Sequence, residues 1–427
     1  MRIVVVGYGP GGVAAAVASH TFSPKAEVKI ITEETVDAHR KPGASLALEF
    51  PDTSDLSIAD WSFRALSEKG IEVISGTRVI SGDPSKKTLE LEKAGKSHST
   101  LTYDKLILAT GGKPNIPDIP GTELPGVFTI QDMPDASAIG KKLSGMKRVV
   151  IVGAGFSGLE TAERLVSLGK EIHMIVRSRF MRRQLEEPMS SELASRIPSS
   201  VRLHLGKAPK SVDGNTKVES ITVGNEAIPT DAVIFMTGVR PDVTLARSLG
   251  VAVGELGGIV VDASMVTSVS DIYAVGDCVE MTDPLSKKPI LLPVGSVAAR
   301  AGRQAGVAAV GGTKIYADTS RRLQYDRIFG TDIVCIGHST TTAAAVGIEV
   351  KAEYFEDLAE FTKAALIVDK SGTLVGGQVI SSRMGARLAY EIFKRVESGD
   401  TLRDAPLLKP RHERLKEYIE NTFGPIR

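Results

Sequence analysis

The chain has 427 residues, of which 42% are hydrophobic and 24% charged; this is ordinary for a folded globular protein and suggests about three domains. Its net charge of +1 argues against a nucleic acid partner, and no apolar run approaches the ~20 residues needed to cross a bilayer. Two cysteines exclude a disulfide-stapled secreted fold, so we expect a cytoplasmic protein of several domains.

The first predicted elements are a short buried strand, a glycine-rich turn and a helix. Residues 2–7 read RIVVVG, and GYGPGG at 7–12 leads into VAAAVAS, a helix-forming stretch. A second strand, AEVKIIT, follows at 26–32, and LILATG at 106–111 closes the unit on Thr-Gly. This order predicts a Rossmann-like unit whose glycine turn binds a dinucleotide pyrophosphate.

The same series of elements returns in the middle of the chain. RVVIVG precedes GAGFSG at 153–158 and the helix LETAERLVSLG, and the strands KEIHMIV and VIFMTG follow, the latter ending on Gly238. In each turn the first glycine permits the bend, the second lets backbone approach the pyrophosphate, and the third lets helix pack against strand. The predicted phosphate-binding glycines are Gly7, Gly9 and Gly12 in the first unit and Gly153, Gly155 and Gly158 in the second.

The segments between and after these units indicate three domains. GGKPNIPDIPGTELPG at 111–126 carries four prolines and predicts an extended crossover, and 254–262 reads as the return. VSDIYAVGDC at 269–278 predicts a buried strand, and 292–312 predicts a helix of small residues. We therefore predict an α/β fold with two Rossmann-like domains and a C-terminal α+β domain, divided as 1–114 with 255–318, 115–254, and 319–427.

The motifs GYGPGG, YDKLILATGGKP, GAGFSGLE, TGVRPD and DIYAVGDC, in this order, resemble those of the pyridine nucleotide–disulfide oxidoreductase superfamily of flavoproteins. Within it the chain is most similar to the NAD(P)H oxidase and coenzyme A-disulfide reductase branch. The resemblance implies that the first unit binds FAD, that the second binds NAD(P)H, and that the third domain forms a homodimer.

The resemblance also implies which residues contact FAD. The first glycine set would cradle the pyrophosphate, and either Glu33 or Glu34 would bind the adenosine ribose; the spacing leaves both open. The helix beginning near Gly295 would point its positive end at the flavin. The remaining matches are Val79 at the adenine, Thr110 and Gly111 at the strand end, Asp277 at the ribityl chain, and Lys41, in HRKPGAS, at the phosphates.

The residues after KEIHMIV bear on the choice of nicotinamide nucleotide. An NADH site places an acid where this chain has Val176, whereas here Arg177 and Arg183 follow and resemble the arginine pair of NADPH-dependent glutathione reductases. We predict NADPH in preference to NADH; the alternative is a solvated basic turn. Phe156 matches an aromatic residue over the flavin or packs in the core, and Glu160 matches an acid at the nicotinamide or lies on the helix surface.

One feature of the superfamily is missing. Its disulfide-reducing members carry a redox cysteine in the segment where this chain reads VDAHRKPGASLALEF, at 36–50. Cys278 and Cys335 do not form a C-x-x-C pair, and we expect both to be structural. His39 is either a proton donor or, as we expect for a lone loop histidine, only solvated. A thiol relay therefore does not fit this sequence.

The sequence thus predicts a FAD-dependent oxidoreductase that takes hydride from NAD(P)H and passes electrons to a non-thiol acceptor. Dioxygen, a quinone-like compound and a small iron–sulfur protein are the acceptors considered, and no metal site is predicted. Two alternatives remain open: a coenzyme A-disulfide or persulfide reductase with an atypical mechanism, and a non-catalytic redox sensor that binds FAD and NAD(P)H.

Overall fold

The computed structural model describes residues 1–39, 41–49, 56–93, 97–313, 320–357, 361–383 and 385–401. They divide into two compact units. The first unit contains Met1–Ser178 and Ser199–Arg321, and the second contains Arg179–Pro198 and the chain from Arg322 onward. The short segment Arg179–Pro198, which lies inside the predicted NAD(P)H domain, thus belongs to the second unit.

The strands of the described residues are β1 Arg2–Val6, β2 Glu27–Ile31, β3 Ile71–Ile74, β4 Thr77–Asp83, β5 Thr88–Lys93, β6 Ser97–Thr102, β7 Lys105–Leu108, β8 Gly112–Pro114, β9 Val127–Phe128, β10 Arg148–Val152, β11 Glu171–Val176, β12 Val201–Leu205, β13 Pro209–Asp213, β14 Ser220–Val223, β15 Glu226–Pro229, β16 Ala232–Phe235, β17 Val239–Pro241, β18 Ile259–Val260, β19 Ile272–Ala274, β20 Val279–Thr282, β21 Pro289–Ile290, β22 Leu323–Ile328, β23 Thr331–Gly337, β24 Val350–Asp357, β25 Thr362–Asp369 and β26 Leu374–Ser381. The α-helices are α1 Pro10–Phe22, α2 Phe63–Glu68, α3 Met133–Leu143, α4 Phe156–Ser167, α5 Glu187–Ser195, α6 Thr244–Ser248, α7 Gly295–Ala309, α8 Thr340–Ala345 and α9 Gly385–Ser398.

Two parallel sheets of five strands form the framework of the first unit. Their strand orders are β19-β7-β1-β2-β3 and β12-β11-β10-β16-β9. The central strands β1 and β10 are Val- and Ile-rich and almost entirely buried, as expected for strands covered on both faces. The two predicted Rossmann-like units are therefore present, which confirms the predicted α/β fold class. The strand predicted at 269–278 is shorter, since β19 is followed directly by a 3₁₀ turn, Gly276–Cys278.

The crossover between the two Rossmann-like folds is extended, as its prolines predict. β8, at the start of this crossover, pairs antiparallel with β17, which follows the last strand of the second Rossmann-like fold. Two three-stranded antiparallel sheets accompany the parallel ones, in the orders β4-β5-β6 and β13-β14-β15.

Helices α1 and α7 of the first unit pack with their backbones in close approach. A Cβ atom on Gly302 would lie 2.2 Å from the carbonyl oxygen of Gly11, and one on Gly306 would lie 2.3 Å from that of Ala15. The Ser19 hydroxyl donates to the Gly306 carbonyl at 3.2 Å. Only glycine fits at these two positions of α7, which explains the small-residue composition of this predicted helix.

The second unit is built on an antiparallel sheet with the strand order β22-β23-β26-β25-β24. Helix α9 packs on one face, where Leu388 and Ile392 join Val334, Ile336 and neighbouring strand residues in one apolar core. β25 and β26 flank the turn at Asp369. No helix in the described ranges is both long and apolar enough to span a membrane.

Candidate functional site

The glycine turns after β1 and β10 have the same geometry. Gly7 has φ +116° and Gly153 has φ +121°, a region that side-chain-bearing residues rarely adopt. A Cβ on Gly12 would lie 2.1 Å from the Gly7 carbonyl oxygen, and a Cβ on Gly158 would lie 2.3 Å from that of Gly153. The first and third glycines of each motif are thus required by the fold itself.

The middle glycines, Gly9 and Gly155, differ from their neighbours. Each is the N-cap of its helix, α1 or α4, without a side-chain cap and without an acid in the first helical turn. A Cβ on either would meet no protein atom within 4 Å. Each helix therefore starts without a side-chain cap beside open space at its middle glycine, which fits a bound pyrophosphate and its negative charge.

The other predicted FAD residues follow strands of the same sheet. Since β1, β2, β7 and β19 are parallel, the turns that carry Glu33, Thr110 and Asp277 lie at one edge of the sheet with Gly9. Thr110 donates its hydroxyl to the Asp242 carbonyl at 2.6 Å, and Asp277 lies in the 3₁₀ turn after β19.

Two glycines that follow strands of the two sheets share a left-handed backbone. Gly111 follows β7 with φ +71°, and Gly238 follows β16 with φ +94°. A Cβ at either position would meet no protein atom within 4 Å. Helix α7 begins at Gly295, the position predicted for the helix that points toward the flavin.

The two candidate acids after β2 have different surroundings. Glu33 is exposed and lies 3.6 Å from the Arg78 guanidinium. Glu34 is partly buried, and its charge acts on Tyr8, the residue between the first two glycines of the turn. Burial raises the pKa of the Tyr8 hydroxyl, and the charges of Asp37 and Glu34 raise it further, against a lowering by a backbone hydrogen bond at Ala38. The choice between Glu33 and Glu34 as the acid that binds the ribose stays a prediction.

Tyr8 is the aromatic residue of the first glycine motif, and the sequence did not single it out. It is buried, donates its hydroxyl to the Trp61 carbonyl, and packs on Phe63 with ring centroids 5.0 Å apart. The Phe63 amide in turn donates to Asp37 at 2.7 Å. Tyr8 therefore connects the first glycine turn to the segment around residue 37.

The structure gives the positions of several other predicted residues of the first unit, whose roles in cofactor binding stay predictions. Val79 lies in β4, an edge strand, and is buried. Phe156 is the first residue of α4 and is partly buried. Glu160, one turn further, is 8% exposed, so its reading as a helix-surface glutamate is wrong. The backbone of Lys41 opens a 3₁₀ helix, Lys41–Leu48, but its side chain lies outside the described part of the chain.

The expectation of a solvated His39 is also wrong. The residue is 4% exposed, its Nε2 accepts the Met133 amide at 3.3 Å, and its backbone pairs with Ser57. Burial in contacts with distant segments, which a local sequence pattern does not reveal, makes it part of the packing rather than of the surface.

Both cysteines are buried. The Cys278 Sγ lies 3.2 Å from the Val275 carbonyl, and burial raises the pKa of its thiol. Burial also raises the pKa of the Cys335 thiol to about 12. Both are therefore protonated at neutral pH, and a thiolate nucleophile is not available from either.

The two predicted arginines belong to different units. Arg177, directly after β11, is exposed in the first unit. Arg183 is exposed in the second unit, where its carbonyl accepts a hydrogen bond from the Ser339 hydroxyl. Their joint role in binding one phosphate remains a prediction.

Two Rossmann-like folds with open, positively polarised glycine turns define a class of protein, the oxidoreductases that bind two dinucleotides. Residues 1–306 match the family model described as pyridine nucleotide-disulphide oxidoreductase, and the chain belongs to this family.

Individual relatives agree with this assignment. An NADH oxidase of Methanocaldococcus jannaschii is 28% identical over 421 residues, which is 93% of this chain and 92% of the relative. The structure of a NAD-dependent persulfide reductase from A. fulgidus has a TM-score of 0.85 at 27% identity, over 94% of this chain and 77% of that one. A FAD-dependent pyridine nucleotide-disulphide oxidoreductase from Desulfovibrio vulgaris has a TM-score of 0.78 at 25% identity, over 97% of each chain. These matches confirm the predicted family and the prediction of an oxidoreductase. They also confirm the predicted cofactors, FAD and a nicotinamide nucleotide.

Proposed function

We propose that this chain transfers electrons from NADPH, through FAD, to an acceptor that is not a protein disulfide. The observation that carries the proposal is the pair of glycine turns, each with an open middle glycine at an uncapped helix start. Bound FAD supplies hydride acceptance and onward electron transfer. The chain supplies the amide groups that bind two pyrophosphates and the helix end, at Gly295, that stabilises developing negative charge.

The acceptor is proposed from the state of the cysteines. A thiol relay needs a thiolate close to the flavin, whereas Cys278 and Cys335 are buried and protonated. Dioxygen, a quinone-like compound or a small iron–sulfur protein requires no thiol, and NADH oxidase is the name of one relative. The persulfide reductase relative supports the alternative, a sulfur acceptor reduced without these cysteines.

NADPH is proposed over NADH because of the residues after β11. Val176 is buried at the end of the strand, where an NADH site has an acid, and Arg177 follows it with an exposed guanidinium. A guanidinium forms charge-assisted hydrogen bonds with phosphate oxygens, which NADH lacks at the 2′ position. The names of the first two relatives mention NADH or NAD, so the choice of nucleotide is a sharp test of this reasoning.

Stopped-flow absorbance of the FAD-loaded protein tests the whole proposal. NADPH without oxygen is expected to bleach the flavin within turnover times, and admission of air distinguishes an oxidase, which reoxidises rapidly, from a reductase that needs another acceptor. NADPH is expected to bleach the flavin equally in the Cys278→Ser and Cys335→Ser variants. If neither NADPH nor NADH bleaches the flavin, the protein is instead a redox sensor that only binds FAD and the nucleotide. We also propose a homodimer formed through residues 319–427, which light scattering of the purified protein would test.

A further inference from the structure

The side chain of Tyr8, the second residue of the first glycine turn, is fixed at both its ring and its hydroxyl. Tyr8 is 2% exposed, and its hydroxyl donates to the carbonyl of Trp61, 53 residues further along the chain. Its ring packs on Phe63, with ring centroids 5.0 Å apart and an angle of 33° between the ring planes. Burial raises the pKa of the Tyr8 hydroxyl above its ordinary value, so the hydroxyl stays protonated and able to donate at physiological pH.

The segment that accepts the Tyr8 hydroxyl is itself held by the chain that follows β2. The Ile58 amide donates to the Ala38 carbonyl at 2.7 Å, and the Phe63 amide donates to the Asp37 carboxylate at 2.7 Å. Between these two attachments the Trp61 amide donates to the Ile58 carbonyl at 2.9 Å, in a short 3₁₀ helix. The Trp61 carbonyl is therefore an acceptor whose position is fixed by the fold.

The rest of the first glycine turn is held at its ends. The Gly7 amide donates to the Ile31 carbonyl at 2.9 Å, and the Gly12 backbone packs against the Gly7 carbonyl. Between them, a Cβ atom on Gly9 would meet no protein atom within 4 Å, and glycine has the greatest conformational freedom of any residue. The anchored side chain of Tyr8 therefore limits the freedom of the backbone at the open middle of the turn.

The second glycine turn has no anchor of this kind. It has Ala154 at the position of Tyr8, between a similar buried strand and a similar helix, and its middle glycine, Gly155, is equally open. A methyl group has no hydrogen-bonding atom, so no bond like that of the Tyr8 hydroxyl can hold this turn. The two turns thus share a backbone geometry but differ in how the fold holds their middle residues.

We propose that Tyr8 is a positioning residue for FAD, whose anchored side chain holds the first glycine turn ready for the pyrophosphate before FAD binds. Binding to a turn that is already ordered costs less conformational entropy, so the cofactor is held more tightly. The same reasoning assigns the unanchored second turn to a nucleotide that binds and leaves in every catalytic cycle. The inference rests on the proposed function, because it takes the first turn as the FAD site and the second as the nucleotide site.

Tyr8→Phe tests the proposal, since it removes the hydroxyl and keeps the ring on Phe63. A dilution series of the FAD-loaded full chain, followed by the fluorescence of released flavin, measures the Kd of FAD. This Kd is expected to rise about 2- to 12-fold, the effect of one lost hydrogen bond, while the Kd of NADP⁺ stays unchanged.

Tyr103→Phe is the matched control. Tyr103 belongs to the same compact unit and is 3% exposed, and its buried hydroxyl has no hydrogen-bond partner within the described part of the chain. This variant therefore loses the same hydroxyl group without losing a bond, and its Kd for FAD should equal that of the unaltered protein.

An unchanged Kd of FAD in Tyr8→Phe, an equal rise in Tyr103→Phe, or an equal rise in the Kd of NADP⁺ would overturn the proposal. If Tyr8→Phe does not fold, Phe63→Leu carries the test, because it removes the ring contact, keeps the hydroxyl bond, and should weaken FAD but not NADP⁺. A purified, unaltered chain that binds no FAD would instead contradict the proposed function.

Discussion

Gly155→Ala separates the cofactor-binding role of the second glycine turn from its structural role. Gly155 has φ −83° and ψ −177°, extended backbone that alanine adopts without strain, and the added methyl meets no protein atom within 4 Å. A Gly→Ala change at such a site stabilises by about 0.4–1 kcal/mol through the unfolded state, and the preference of helix N-caps for glycine over alanine offsets part of this. We therefore expect the midpoint of thermal unfolding to change by at most about 4 °C.

Nucleotide binding should respond quite differently. The methyl group would occupy the open space over the first amides of α4, so the pyrophosphate loses at least one charge-assisted hydrogen bond, worth about 1.5–3 kcal/mol. The Kd of NADP⁺, which carries the same pyrophosphate as NADPH and does not reduce the flavin, should rise about 10- to 150-fold, while FAD, held by the first glycine turn, stays bound. The assay is titration of the yellow protein with NADP⁺, together with thermal unfolding.

Gly158→Ala is the control for a structural glycine. Its Cβ would lie 2.3 Å from the Gly153 carbonyl oxygen, so this variant should lose stability by several degrees or fail to fold. A fall in the Gly155→Ala midpoint as large as that of Gly158→Ala, or an unchanged Kd, would refute the assignment of Gly155 to the pyrophosphate.

Three further predictions concern charge. Arg177→Ala should weaken NADPH about 10- to 150-fold and NADH little, as measured by the KM of each nucleotide. His173 Nδ1 lies 3.0 Å from His204 Nε2, and burial lowers the pKa of both rings below the ordinary 6.5. Because the folded state then binds protons less readily than the unfolded chain, the free energy of unfolding should fall as the pH drops below about 6.5, and His204→Gln should flatten this dependence in urea titrations. Thr340→Val removes the hydroxyl that donates to buried Glu186 and should lower the free energy of unfolding by about 1–3 kcal/mol in the same titrations.

Each of these has a control in the chain. Arg247→Ala removes an exposed arginine from α6 and should affect neither nucleotide; equal losses of NADH and NADPH in Arg177→Ala would contradict a contact with the 2′-phosphate. Thr341→Val changes an exposed neighbour of Thr340 and should be silent. A pH dependence that is the same with and without His204 would show that other groups cause it.

The sequence predicted best those helices, strands and turns whose conformation is set by residues that are neighbours in the chain. The run from a Val- and Ile-rich strand through three spaced glycines to a helix specifies its own geometry, so β1, α1, β10 and α4 appear where they were expected. The start of α7 at Gly295 and the extended crossover rest on glycine and proline, whose backbone preferences are equally local.

What the sequence could not supply depends on contacts between distant residues. His39 reads as a loop histidine, and only its bond to the Met133 amide and its pairing with Ser57 show that it is buried. Arg183 looked like a member of the basic stretch after β11, and nothing nearby indicates that it belongs to the second unit, where its carbonyl accepts the Ser339 hydroxyl. Glu160 could be assigned to either of two environments until its burial was known.

The close approach of α1 and α7 has a consequence for how the protein is made. The first nucleotide-binding fold begins at the amino terminus, yet β19 and α7, which complete its sheet and cover α1, emerge only after the whole of the second fold. About 200 residues separate β7 from the end of α7, which at roughly 5–20 residues per second takes the ribosome about 10–40 seconds. During that interval the alanine- and glycine-lined surface of α1 has no α7 to cover it. We expect the second fold to close first, with the amino-terminal fold kept open until the returning chain arrives.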